Sequence, residues 1–246
     1  MRRRLHRDSP VPVWAQIEDH LAARIAQLRV GDRLPPEREL AEQLDVSRGT
    51  VRQALDALAA RGLIERGVGR GTFVAAGKVE VRLHDVAGFT EQMARAGLIA
   101  NARVLRAGVV PTPDEIARQL ALGEGAPVVR IERLRLAGKL PLTLEDSWIP
   151  SARFPGIEDL DLRGSIYALM RDLYGHAPVR VVEALEPVVA QQHSAELLGI
   201  PPGSALMRVE RTAYDADDVA VEYARDLHRG DRARFVVEAA APARIT

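Results

Sequence analysis

Two groups of arginines in this sequence are spaced so that they could do chemistry. The first is Arg48 and Arg52, with Thr50 between them and Ser47 just ahead. With Ser47 as a helix N-cap, these three side chains occupy the exposed first turn and a half of that helix. Arginine there can read guanine in a major groove while the helix N-terminus faces phosphate. Gly69-Arg70-Gly71 then places a further arginine on the tip of a hairpin, suited to the adjoining backbone or minor groove. Three basic features on one predicted side favour DNA binding over a merely solvated face. The second group is Arg133 and Arg135, which share one face of a strand with Val129 and Ile131. Guanidiniums at i and i+2 on an inward face suit bidentate capture of a phosphate or carboxylate. The next strand brings Glu145 close, and Glu222 reads as its counterpart further along. A structural ion-pair ladder among Arg130, Glu132, Arg133 and Glu145 is the other reading, and spacing leaves both open.

The elements that must hold the first group are legible around it. Pro35 and Pro36 fit the first turn of a helix, where a missing N–H costs nothing, and Leu40, Ala41 and Leu44 give that helix an apolar side. From Ser47, the stripe Val51, Ala54, Leu55 and Leu58 is helical, and Gly62 closes it. Leu63 begins a strand, and glycines 67, 69 and 71 permit a sharp reversal. Upstream, Pro10 and Pro12 precede a helix with Trp14, Ile17, Leu21, Ile25 and Leu28 on one side, ended by Gly31. The Arg-rich first nine residues are expected to be mobile. Ala75-Ala76-Gly77-Lys78 reads as a linker, which divides the chain into domains 1–77 and 78–246.

The second region alternates strands and helices, as an α+β domain with a mostly antiparallel sheet does. A short helix runs from Gly88 to Ala96, and Thr112-Pro113-Asp114-Glu115 reads as a capping box with proline at the first helical position. Strands at 128–136 and 140–149 flank Ala137-Gly138-Lys139 as a hairpin. Ser165 precedes the stripe Ile166, Leu169, Met170 and Leu173, ended by Gly175. Further strands fall around 181–189, 206–214, 219–227 and 235–239. The segment 117–133 lines up with 195–211 at an offset of 78 residues without a gap. Two copies are too few for a solenoid. They read as two halves of one pseudo-symmetric sheet, with the space between them a natural ligand site.

Charge supports this division of labour. The 246 residues carry 34 Lys+Arg and 34 Asp+Glu, yet residues 1–78 hold 14 against 10 and the remainder 20 against 24. The basic excess of +4 lies with the helical head, where phosphate binding requires it. With no cysteine there is no disulfide framework, thiolate nucleophile or Cys-ligated zinc. No apolar run reaches signal or membrane-span length, so a cytoplasmic protein with no membrane partner is expected.

The head resembles the winged helix-turn-helix of GntR-type bacterial transcription regulators. The motifs are Leu34-Pro35-Pro36-Glu37-Arg38-Glu39-Leu40-Ala41, Ser47-Arg48-Gly49-Thr50-Val51-Arg52-Gln53-Ala54-Leu55 and Gly69-Arg70-Gly71-Thr72-Phe73-Val74. The resemblance implies that Arg38, Ser47, Arg48, Thr50 and Arg52, with Gly69, Arg70 and Gly71 of the wing, contact an operator. The region 89–236 is similar to the effector-binding UTRA domain of the HutC subfamily, of chorismate-lyase-like fold. Phe89-Thr90-Glu91, Arg130-Ile131-Glu132-Arg133-Leu134-Arg135, Leu144-Glu145, Phe154-Pro155, Ser165-Ile166-Tyr167, Val221-Glu222-Tyr223 and Arg229-Gly230-Asp231-Arg232 carry that likeness. It implies a pocket lined by Thr90, Arg133, Arg135, Glu145, Ser165, Tyr167 and Glu222. His228 stands where the family has tyrosine, and Ala233 where it has an aromatic residue. His228 reads either as a ligand contact or as a surface residue.

A ligand-responsive repressor is therefore expected. It would be a homodimer on palindromic double-stranded operator DNA, nucleoid-associated when bound, and released by a small anionic effector of sugar-phosphate or carboxylate type, with no cofactor and no metal. A ligand-independent DNA binder is the alternative. An enzyme on the lyase-like fold is a third, but the histidines at 6, 20, 84, 176, 193 and 228 fall in no catalytic motif.

Overall fold

The computed structural model describes residues 9–29, 31–67, 71–75, 77–83 and 86–238. The expected mobile N-terminal arginines, the wing-tip residues Gly69 and Arg70 and linker residue Ala76 lie outside them. The chain divides into two units, 1–78 and 79–246, which are described in turn.

The first unit has helices α1 (Val13–Ile25), α2 (Glu37–Leu44) and α3 (Arg48–Ala60), then strands β1 (Ile64–Gly67) and β2 (Gly71–Val74). Ser47 caps α3, accepting from the Thr50 N–H at 3.1 Å. At the other end Gly62 takes φ 72°, and the Gly62 and Leu63 amides reach back to the carbonyls of Ala59 and Leu58. That is a Schellman ending, and it needs a residue tolerant of positive φ. Ile17, Leu21, Leu40, Val51, Ala54, Leu55, Leu58, Ile64 and Val74 form one core. β1 pairs antiparallel with β2, and the segment at Gly31–Leu34 bonds to the outer side of β2. Two expectations shift. The prolines stand just ahead of α2 rather than in its first turn, with Pro36 as N-cap. α1 ends at Ile25, so Leu28 falls beyond the helix and is exposed.

The second unit is mixed α and β, built on a six-stranded antiparallel sheet. Its elements are β3 (Val79–Arg82), α4 (Phe89–Arg95), β4 (Ala100–Pro111), α5 (Asp114–Gln119), β5 (Pro127–Ala137), β6 (Leu140–Pro150), α6 (Ile166–Leu169), β7 (Arg180–Val189), α7 (Gln192–Leu198), β8 (Ala205–Tyr214), β9 (Ala220–Arg229) and β10 (Ala233–Val236). Strand order is β4-β5-β6-β9-β8-β7, while β3 and β10 form a separate parallel pair. The order is a palindrome of two β-α-β-β copies, so a local pseudo-dyad runs between β6 and β9. It passes through the Asp146–Arg225 register pair.

One face of the sheet carries the cores under α5 and α7. Ile116 and Leu120 pack there with Val128, Trp148 and Tyr223, and Ala195 and Leu198 with Leu134 and Leu144. The other face packs Val129, Ile131, Ile149, Ala213 and Val221 against Phe154, Ile157, Ile166 and Met170. Central strands covered on both sides lose clean alternation, as β5 does.

Three local readings are corrected. Thr112 does not cap α5: its buried hydroxyl donates to the Ala126 carbonyl instead, and Pro113 takes the cap position. α6 passes at Met170–Tyr174 into a π-helical turn, whose wider step leaves Leu173 exposed. Register also changes a pairing. Arg133 faces Glu145 and its repeat equivalent Arg211 faces Ala224, so the counterpart of Glu145 is Ala224, and Glu222 matches Thr143.

Candidate functional site

β5 turns its apolar row into a cleft at the seam of the two half-sheets. Gly88, Phe89 and Thr90 at the start of α4, Ser165 to Tyr167 at α6, and inward side chains of β5, β6, β8 and β9 enclose it. Its empty space is about 350 Å³, part of it open to solvent. Seven of the eight expected effector residues line it: Thr90, Arg133, Arg135, Glu145, Ser165, Tyr167 and Glu222.

Arg133 is anchored by two carbonyls, donating Nη1 to Leu162 O at 2.8 Å and Gly164 O at 3.1 Å. Its Nη2 meets Glu145 Oε2 at 2.6 Å. Arg135 reaches the same oxygen at 3.4 Å, donates Nη2 to Thr90 Oγ1 at 2.9 Å and lies 4.5 Å over the Phe89 ring. Burial opposes charge on Glu145, but Arg133 and Arg135 outweigh it and hold the carboxyl below its ordinary value. Tyr167 donates to Glu222 Oε2 at 2.7 Å, and burial followed by the Glu222 charge pushes its phenol well up, so it stays neutral. Ser165 caps α6, accepting from the Ala168 N–H at 3.2 Å, and donates to Glu91 Oε1 at 3.2 Å.

The postulated ladder splits by face. Arg130 pairs with Asp146 at 2.7 and 2.8 Å on the opposite side of the sheet, and only Arg133–Glu145 belongs to the cleft. Arg133 and Arg135 share one carboxylate and border empty space, which leaves donor capacity for an anion.

His228 is not among the lining residues. It is buried rather than a surface residue, its Nδ1 lies 3.0 Å from Thr143 Oγ1, and its ring meets Phe235 edge-on at 5.2 Å. Burial, then Arg211, pulls its pKa down to about 3, so the ring is neutral at ordinary pH. Sequence reasoning passed over Phe89, Ser147, Arg211 and Asp226, which also line the cleft. Arg211 had a signal, since it lies 78 residues after Arg133 in the repeat. Asp226 had none, because its importance arises only from strand register.

In the first unit, Arg48 is exposed and makes no side-chain hydrogen bond or ion pair among the described residues. Thr50 Oγ1 shares a 2.8 Å hydrogen bond with Ser47 Oγ. Arg52 is held: Nη2 and Nε donate to Glu37 Oε2 at 3.1 and 3.4 Å, while Arg66 bonds both Glu37 and Asp56. The Arg52 hydrogen bond, against burial, lowers the Glu37 carboxyl. Arg38 is exposed and faces Glu42 at 3.7 Å. Gly71 opens β2 at φ 107°, and a Cβ there would stand 3.0 Å from Arg33 Nε. Gly69 and Arg70 lie outside the described residues.

Comparison with known proteins adds the family. Residues 14–74 match the bacterial regulatory proteins of the gntR family, and residues 95–234 match the UTRA domain. The HTH-type transcriptional repressor NagR of Bacillus subtilis (strain 168) is 36% identical over 235 residues, 94% of this chain and 96% of that one. The HTH-type transcriptional repressor PhnF of Mycolicibacterium smegmatis is 40% identical over 210 residues, covering 85% and 84%. The crystal structure of PhnF from Mycobacterium smegmatis superposes with a TM-score of 0.67 at 34% identity, covering 92% of this chain and 99% of that one.

Proposed function

Because the chain belongs to the GntR family of bacterial regulators and carries its UTRA domain, we propose that it is a repressor released from operator DNA by a small anionic metabolite. It is a regulator and not an enzyme, as its named relatives are. Residues 1–77 act as the DNA-binding domain and 78–246 as the sensor. One observation carries the anionic reading: Arg133 and Arg135 stand on an inward face, bordering a cleft, with a single carboxylate between them. Glu145 and Glu222 in the same cleft suit hydroxyl groups, so a phosphorylated or carboxylated polyol matches both charges.

DNA is met by the start of α3. Arg48 reads a base edge, Arg52 joins it on release from Glu37, and Ser47 and Thr50 bond phosphate with the helix N-terminus behind them. Arg38 and the wing at Gly69, Arg70 and Gly71 take adjoining backbone. Two copies present two such helices to half-sites one turn apart. Exposed valines on the edge strands, Val104 and Val109 on β4 with Val182 and Val189 on β7, support a second copy as partner. Release requires the effector to prefer one placement of the DNA heads over another.

A gel-shift titration tests both halves. Arg48→Ala is expected to weaken operator binding at matched salt. Arg133→Ala is expected to keep ligand-free binding and lose release by the effector. Equal loss or equal retention of both properties in Arg133→Ala contradicts the assignment.

A further inference from the structure

One carboxyl in the cleft is left without an adequate partner. Arg133 and Arg135 converge on Glu145, Arg211 donates Nε to Glu183 Oε1 at 2.8 Å, and Glu222 receives the Tyr167 hydroxyl. Among the described residues Asp226 has only Arg211 Nη2, 3.6 Å from its Oδ2, and its buried Oδ1 has no hydrogen-bond partner. It is 3% exposed. In register it sits directly beside Glu145 across the β6–β9 seam, with Glu222 on the same face of β9. A buried carboxylate flanked by two others, with one oxygen lacking a donor, is costly. A proton on Oδ1 removes the repulsion and turns an idle acceptor into a donor on a residue that lines the cleft.

We propose that Asp226 stands in the cleft as a neutral carboxylic acid whose Oδ1 hydroxyl donates a hydrogen bond to an anionic oxygen of the effector, making Asp226 a specificity residue of the sensor. This rests on the anionic-effector reading above. Burial first, and the charges of Glu145 and Glu222 after it, push the Asp226 carboxyl well above the carboxylate range, outweighing Arg211. Of the groups facing it, Arg133, Arg135 and Arg211 are cationic, Glu145 and Glu222 anionic, and Tyr167 and His228 neutral. With Glu183 on Arg211, three guanidiniums face three carboxylates when Asp226 is protonated. When it ionises, the site turns negative and repels the ligand it is built to hold. Anion binding raises the Asp226 pKa further. Affinity is therefore greatest on the acid side of that pKa and falls as pH rises through it.

The full-length protein tests this in two steps. Infrared spectra of the ligand-free chain at neutral pH are expected to show the carbonyl stretch of a protonated carboxyl, which Asp226→Asn removes. Its absence from wild type overturns the proposal. Glucose 6-phosphate then serves as probe in thermal-shift titrations on either side of neutrality. Wild type is expected to be stabilised more on the acid side, Asp226→Asn to bind without pH dependence, and Asp226→Ala to bind about tenfold more weakly. Asn as weak as Ala, with wild type tightest in alkali, means an ionised acceptor and overturns the proposal. Stabilisation that Asp226→Ala leaves intact overturns it alone. No stabilisation of wild type by the probe removes the anionic-effector reading and the proposal together.

Discussion

Arg52 donates to Glu37 from one helix of the DNA-reading motif to the other, Nη2 to Oε2 at 3.1 Å, while Arg66 reaches the same carboxylate from β1. A carboxylate between two arginines on the face proposed to meet DNA restrains both cations until phosphate or a base replaces it. Glu37→Gln is expected to tighten binding to random duplex and to steepen its salt dependence by about one unit of slope. Discrimination between operator and random duplex should narrow. Fluorescence anisotropy across a salt series reads both, and an unchanged slope would contradict the restraint.

Ser47 gives the reading helix a defined start through its bond to the Thr50 amide. Ser47→Ala is expected to cost about 1 kcal/mol of stability. Ser47→Asp should recover that stability by capping, yet fail to recover operator affinity, because it brings a negative charge to phosphate. Denaturation and gel shift together separate the two effects.

Glu145 is shared by two buried guanidiniums, those of Arg133 and Arg135. Glu145→Gln leaves them without their counterion and is expected to destabilise the protein by about 3–5 kcal/mol. Added phosphate should restore more of the melting temperature in this variant than in wild type, since the anion can occupy the vacated position. Calorimetry with and without phosphate reads the difference; a variant as stable as wild type would show the guanidiniums to be solvated instead.

His228 is neutral in the fold because burial holds its pKa at about 3 against an ordinary 6.5. Between those values the unfolded chain binds a proton that the folded chain refuses. Its contribution to stability is thus present above pH 6.5 and is lost as pH falls toward 3. Asp226 acts in the opposite sense: its raised pKa adds stability at low pH that disappears as pH rises through the folded value. His228→Gln is expected to flatten the acid limb of a stability profile measured by urea melts across pH. A profile as steep as wild type would assign the acid limb to other groups.

Much of this architecture was legible in residue order because local rules and tertiary demands agree. Ser47 caps where a cap residue stands before a helical stripe, the hairpin at Gly138 turns where turn residues interrupt two apolar runs, and the 78-residue repeat becomes the palindromic sheet. What residue order does not show falls where a distant partner intervenes. Thr112 has the composition of a cap, but the Ala126 carbonyl claims its hydroxyl. Arg52 belongs to the reading helix by spacing, yet Glu37, fifteen residues earlier, holds it. Asp226 is one more charged residue in a strand until the β6–β9 register sets it beside Glu145.

That register has a mechanical consequence. β6 and β9 are paired only over Thr143–Trp148, whereas β5 and β6 are laddered from Val128 to Ala137. The join between the duplicated halves is thus the shortest ladder in the sheet, and the cleft straddles it. A small molecule bridging Arg133 on one side and Glu222 on the other, as proposed above, would work as a rivet through a weld. Its energy goes into setting the angle between two plates, and a sheet that can flex there can carry a chemical signal to its own far edges.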